Sequence, residues 1–292
     1  MNDKQSKSTK IFLIGAARSG TKLVRDTISL HPRVAKIPYD INYIWKMGNE
    51  NIPHDELLRN DLDKKSTNRI VNYINKQDNG NPYLIEKTVS NCLRVPFINE
   101  VFPDSKYIHL VRDGVDVVES SFRQWNSGPN FSYILNKAFS FPVALAPNYA
   151  ISYFFSILSS IFDVSKKSKV WGPKYKGIEE DLQTYDLIEV CAIQWAKCVE
   201  SSIQGLKSIK PRKVLQVKYE DFVEHPQKYI NIIFDFVNIH HFRLSDDEKL
   251  NISRRNIGKG YRNLKSEQIN KIKPLINELM LELNYHKDND AR

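Results

Sequence analysis

Residues 15–22, Gly-Ala-Ala-Arg-Ser-Gly-Thr-Lys, set two glycines five positions apart around Arg18 and Ser19, with Thr21 and Lys22 directly after. Glycines let a backbone turn tightly enough for successive amides to converge on an anion, and a helix beginning just after them adds its positive end. Ser19 and Thr21 offer hydroxyl donors. Arg18 offers a permanent charge in a planar fork that matches phosphate or sulfate oxygens. The glycine spacing is that of the nucleoside-triphosphate loop, which continues Lys-Ser/Thr so that the hydroxyl can hold Mg²⁺. Here the order is reversed, Thr21 before Lys22. The loop is suited to an oxyanion held without a metal. A bare strand–turn–helix gives the same local pattern, so the loop alone leaves both readings open.

A second pair narrows the choice. In YIHLVRDGVDVVESSF, Arg112 ends an apolar run and Ser120 follows eight residues later. A short turn and a helix beginning near Val115 would return Ser120 to the edge from which Arg112 projects, where the two could share one phosphate. Taken alone, they also fit an Arg112–Asp113 strand-end pair and an ordinary helical serine.

The elements that must position these residues are four short apolar runs, 11–15, 83–87, 107–111 and 213–220, separated by stretches of helical periodicity. That alternation predicts an α/β fold, a P-loop-type parallel β-sheet flanked by helices on both faces. In such sheets ligands bind beyond the carboxyl ends of the strands, where these runs give way to polar sequence. Residues 1–9 are expected to be a disordered polar terminus and 10–292 a single domain. The stretch 126–190 interrupts the pattern as an insertion. Its apolar segment 142–162 is broken by Pro147 and Asn148, so its longest uninterrupted run is too short to cross a bilayer. It is either a buried helix or a lid over an apolar or lipid-linked acceptor, with peripheral membrane contact as part of the second reading.

Bulk composition agrees. The chain of 292 residues carries a net charge of +9, which favours anionic ligands. No dense basic arm interleaved with aromatics is present, which argues against a nucleic-acid partner. Three cysteines, Cys92, Cys191 and Cys198, form no CxxC pair and are odd in number, against a structural metal or a disulfide framework. They read as buried apolar residues. The polar start MNDKQSKSTK lacks a signal core, so a cytoplasmic location is expected.

GAARSGTKLVRDTISLHPRV followed by FPDSKYIHLVRDGVDVVESSF resembles the sulfotransferases that use 3′-phosphoadenosine 5′-phosphosulfate (PAPS), in particular their glycan- and protein-modifying and bacterial branches. The segment KVLQVKYEDFVEHPQKYINIIFDFV is similar to that family's strand-YED-helix unit, and IGKGYRNLKSEQINKIKPLINELMLELNY to a closing segment. The resemblance implies PAPS as co-substrate with no metal, and sulfuryl transfer to an acceptor hydroxyl. A carbohydrate or glycoconjugate is the leading acceptor; protein tyrosine, a lipid or a small molecule is the alternative. It implies that Ala17, Arg18, Ser19, Gly20, Thr21 and Lys22 hold the 5′-phosphosulfate, with Arg18 stabilising the leaving phosphate. It implies that Arg112 and Ser120 hold the 3′-phosphate, that Tyr219 lies near the adenine, and that Lys259, Gly260 and Tyr261 close over the 3′-phosphate side.

The base is less constrained. Asp40 follows HPRVAKIPY, close to where relatives carry a glutamate; it serves as base or as N-cap of a helix from Ile41, and the roles can coincide. Lys87, in Glu-Lys-Thr, contacts sulfate or acceptor or is a solvated strand-end lysine. His109, mid-strand, reads as a core residue. Two other functions remain on the sequence: a P-loop kinase, which requires Mg²⁺-dependent ATP binding, and a non-catalytic nucleotide-binding protein.

Overall fold

The computed structural model describes residues 8–127 and 170–285. In chain order the elements are β1 (Thr9–Ile14), α1 (Thr21–Ile28), β2 (Val34–Lys36), α2 (Asn42–Trp45), α3 (Lys64–Asn75), β3 (Tyr83–Glu86), α4 (Val95–Val101), β4 (Lys106–Val111), α5 (Gly114–Asn126), α6 (Ile178–Thr184), α7 (Leu187–Lys207), β5 (Val214–Lys218), α8 (Tyr219–Glu224), α9 (Pro226–Val237), α10 (Asp246–Leu250), α11 (Lys259–Asn263) and α12 (Ser266–Glu282).

The five strands form one sheet in the order β2-β3-β1-β4-β5, and every neighbouring pair is parallel. β1 is central: Ile11 pairs with Ile85 on one side and Lys106 on the other. Alternate side chains of each strand feed two cores. Phe12, Ile14, Leu84, Tyr107 and Val111 pack under α3, α4, α5, α7 and α12. Ile11, Leu13, Ile85, Ile108, Leu110 and Val217 pack under α1, α8 and α9. Helices therefore cover both faces, which is why the strands read as continuous apolar runs rather than alternating ones.

Parallel pairing brings all strand carboxyl ends to one edge. Gly15–Gly20, Lys87–Thr88, Arg112–Asp113 and Tyr219–Glu220 all leave the sheet there. At Gly15 the chain passes so close to β4 that a Cβ would sit 2.6 Å from the Leu110 carbonyl oxygen.

Several expectations change. The P-loop type is not what this sheet carries. A nucleoside-triphosphate loop needs a lysine directly after its second glycine, lying over the phosphates; here that position is Thr21, which is buried, and Lys22 is exposed on α1. β2 was not anticipated: three residues are too few to show a pattern. The last expected strand stops at Lys218, and Tyr219 opens a helix. Asp40 does not cap α2; Ile41 occupies that position and no side chain bonds the helix start. Within the expected insertion, α7 begins at Leu187 with Ile188 and Val190 buried in the core. The segment 142–162 lies outside the described residues. Among the described residues, no helix is long and apolar enough to cross a membrane.

Candidate active site at the carboxyl edge of the sheet

The loop after β1 places Arg18 in a left-handed backbone conformation, φ 66°, costly for a residue with a Cβ. Gly20 follows at φ 90°, where only glycine fits: a Cβ would lie 2.4 Å from the Tyr219 ring. Ser19 and Thr21 are buried. Among the described residues, no acceptor meets the amides of Ala17, Arg18 or Gly20. These donors lie at the start of α1, whose dipole favours an anion.

Arg18, Arg112 and Ser120 meet at this edge. Arg18 Nε donates to Ser120 Oγ at 2.9 Å, and Arg112 Nη1 donates to the Arg18 carbonyl at 2.9 Å. The helix joining Arg112 to Ser120 starts at Gly114, capped by the Asp113 carboxylate, which accepts from the Asp116 amide at 3.1 Å. Arg112 is 6 % exposed, and its Nε has no hydrogen-bond partner. A buried, unmatched guanidinium nitrogen beside unmatched loop amides is a donor set for an anion.

Arg123, one turn beyond Ser120, adds a third guanidinium. Burial and the charges of Arg123 and Arg112 lower the Arg18 pKa from its ordinary value. Glu119 holds Arg123 through Nε at 3.0 Å. Burial pushes the Glu119 carboxyl up, but its bonds to Asn263 and Arg123 outweigh that and hold it low. Sequence reasoning missed Arg123: its place in the cluster comes from helical phase relative to Ser120, not from a motif.

Tyr219 is buried. Its ring packs against Gly20, and the Arg112 guanidinium lies 4.5 Å from its centroid. In this structure the tyrosine braces the loop and the arginine together. Lys22 is exposed on α1.

Lys259, Gly260 and Tyr261 come to the same edge. Gly260 lies against the first turn of α5, where a Cβ would meet the Val115 carbonyl oxygen at 2.4 Å. The Tyr261 hydroxyl lies 3.4 Å from Asp113 Oδ2, and Lys259 is half-buried near Glu119.

On the other side of the loop, Lys87 Nζ donates to Asp40 Oδ1 at 2.6 Å. The carboxylate keeps partial access to solvent, with its side chain 24 % exposed. Glu86, by contrast, is fully enclosed. It accepts from Thr88 Oγ1 at 2.5 Å and Asn91 Nδ2 at 2.8 Å, and Thr88 Oγ1 accepts in turn from the Ile41 amide at 2.9 Å. Glu86 therefore ties β3 to the chain carrying Asp40. Only Asp40 of the two carboxyls can be approached by a substrate.

Burial, with the Asp40 charge nearby, pushes the Glu86 pKa up to about 7 against the favourable Thr88 bond. Asn91 Oδ1 is buried without a partner, so a half-turn of that amide presents an acceptor to the neutral acid. Between pH 4.5 and about 7 the folded chain keeps a proton that the unfolded chain has lost, so this group makes stability fall as pH rises through that window. Glu86→Gln is expected to remove a fall of about 3 kcal/mol. Paired denaturant melts of wild type and variant from pH 4.5 to 8 test this: parallel curves would refute it.

His109 is a core residue, as read from the sequence. It contacts Ser202 Oγ at 3.0 Å, and burial pushes its pKa down to about 4. The three cysteines are free and buried. Among the described residues, no three His, Cys, Asp or Glu side chains converge as a metal site.

A parallel α/β sheet with this arrangement at its edge has the fold of sulfotransferase domains. The domain from the curacin biosynthetic pathway superposes with a TM-score of 0.51 at 16 % identity, covering 93 % of this chain and 97 % of that one. The domain of the Synechococcus PCC 7002 olefin synthase gives 0.51 at 16 %, covering 94 % and 96 %. These likenesses put the sulfotransferase fold in place of the P-loop-type sheet expected from the sequence.

Residues 10–145 match the model of the sulfotransferase family. Protein-tyrosine sulfotransferase 1 of Danio rerio is 24 % identical over 241 residues, 78 % of this chain and 53 % of that protein. The chain spans between a third and about half of the length of the first curated relatives it matches. The relatives are mixed, and the glycan- or protein-modifying and bacterial branches are not distinguished among them.

Proposed function

We propose that this protein transfers the sulfuryl group of PAPS to an acceptor hydroxyl. The observation that carries the reading is the meeting of Arg18, Arg112 and Ser120 beside loop amides and an Arg112 Nε that lack acceptors. PAPS brings two anionic groups and a sulfur whose bond to the 5′-phosphate oxygen breaks as the acceptor oxygen attacks. The amides of Ala17, Arg18 and Gly20, with Ser19, Thr21 and Arg18, hold the 5′-phosphosulfate. Arg112 and Ser120, with Lys259, Gly260 and Tyr261 alongside, hold the 3′-phosphate. Arg18 balances the charge that gathers on the departing 5′-phosphate. Asp40 takes the acceptor proton, oriented by Lys87.

The reversed Thr21-Lys22 order supports transfer without Mg²⁺. The curated relatives named protein-tyrosine sulfotransferase favour a phenolic hydroxyl, on a peptide or a small molecule, over the carbohydrate expected from the sequence.

Adenosine 3′,5′-bisphosphate at about 100 times its Kd is expected to raise Tm by ~5 °C without Mg²⁺. Radiolabelled transfer from PAPS to a tyrosine peptide, a simple phenol and an oligosaccharide then identifies the acceptor class. A shift with ATP and Mg²⁺ but none with the bisphosphate would identify a kinase instead. Bisphosphate binding with no transfer to any acceptor would identify a non-catalytic binder.

A further inference from the structure

The carboxylates of α5 and its cap are unusually busy. Asp113, Asp116 and Glu119 recur every three residues, so they form one stripe along the helix. Each is buried, and each reaches the same distant stretch of chain. Asp113 meets the Tyr261 hydroxyl at 3.4 Å. Asp116 Oδ2 accepts from the Gly258 amide at 2.8 Å and Oδ1 from the Gly260 amide at 2.7 Å. Glu119 accepts from Asn263 Nδ2 at 2.9 Å. Asp116 is the member that also faces the anion site: its Oδ2 lies 3.4 Å from Arg112 Nη2, and that nitrogen donates to the Asn256 carbonyl at 2.6 Å.

We propose that Asp116 is a positioning residue that joins Arg112 to the 256–260 backbone, so that the guanidinium and Lys259 act on one phosphate. The proposal rests on the nucleotide reading above for its ligand, but not for its geometry. A carboxylate with both oxygens on backbone amides fixes two glycines whose own conformations are permissive; Gly258 stands at φ 65°. The same oxygen that orders Gly258 sets the direction of Arg112 and leaves Nε as its unmatched donor. The helix turn that carries Asp116 carries Ser120 one turn later, so the contact keeps Arg112, Ser120 and the glycine segment in register.

Asp116→Asn keeps the shape and removes one acceptor and the charge. Calorimetry with adenosine 3′,5′-bisphosphate and with adenosine 5′-monophosphate isolates the 3′-phosphate. The variant is expected to lose roughly tenfold or more in affinity for the bisphosphate and little for the monophosphate. Hydrogen exchange at Gly258 and Gly260 in the ligand-free protein is expected to quicken. Equal losses for both nucleotides, or none, would overturn the proposal. Unchanged exchange would overturn it whatever the nucleotide result. A wild type that binds neither nucleotide, with exchange faster in the variant, removes the nucleotide reading and the ligand assigned here while leaving the clamp itself established. Should Asp116→Asn fail to fold, Asn263→Ala releases the far end of the same segment from Glu119 without exposing a buried carboxylate. It is expected to show the same preference for loss of the bisphosphate, and its absence would count against the proposal as fully.

Discussion

Arg18→Ala is expected to lower kcat for sulfuryl transfer by about 10²- to 10³-fold, with a much smaller change in the affinity for adenosine 3′,5′-bisphosphate. The asymmetry follows from when the charge appears. Before transfer the 5′-phosphate shares its charge with the sulfuryl group; as the bond to sulfur breaks, charge accumulates on the phosphate oxygen. A fixed guanidinium in the loop gains most at that moment. On the proposed reading Arg18 is held for this, with Nε tied to Ser120 Oγ and its carbonyl tied to Arg112 Nη1.

The backbone supplies a control. Arg18 and a substituted alanine both carry a Cβ at φ 66°, so Arg18→Ala changes the charge and leaves the backbone cost in place. Arg18→Gly removes that cost as well. It should be as inactive as Arg18→Ala while melting no lower. A side chain kept where the backbone would favour glycine is the mark of a position set by function. Steady-state rates and melts of the two variants check this; an Arg18→Gly protein retaining more than a tenth of wild-type kcat would refute the role.

Legibility in the sequence followed distance along the chain. The parallel sheet was readable because β1, β3 and β4 are buried on both sides and so appear as apolar runs. β2 was not, because Val34–Lys36 is three residues long. Arg18, Arg112 and Ser120 were readable because each sits at a fixed offset from a strand end, and a parallel sheet brings such ends together. Asp116 was not, since its partners Gly258 and Gly260 lie more than 140 residues away and a carboxylate in the first turn of a helix has an ordinary reading. Tyr219 shows the opposite case. The YED segment marked it for the nucleotide, and the structure presses its ring onto Gly20 and beneath Arg112. The glycine spacing of the loop pointed to a P-loop type, and the side-chain order after Gly20 pointed away from it. The order was the better guide because it decides which groups face the anion.

Asp40→Asn is expected to lower kcat by roughly 10²- to 10⁴-fold, the range for loss of a positioned base, with bisphosphate affinity unchanged. The competing account is that Asp40 merely neutralises Lys87. The two side chains meet at 2.6 Å, and Lys87 is 8 % exposed, so removing the carboxylate leaves a nearly buried ammonium without its partner. That alone should destabilise the protein, because the desolvation cost of the cation is no longer offset. Loss of activity in the single variant therefore proves little. The double variant Asp40→Asn/Lys87→Met separates the accounts. It removes both charges, keeps similar volume, and should recover most of the lost Tm. If Asp40 acts only as the counter-ion, activity returns with stability. If Asp40 accepts the acceptor's proton, stability returns and kcat stays down. Glu86 cannot act as base in its place, since Thr88, Asn91 and the surrounding core enclose it away from any acceptor.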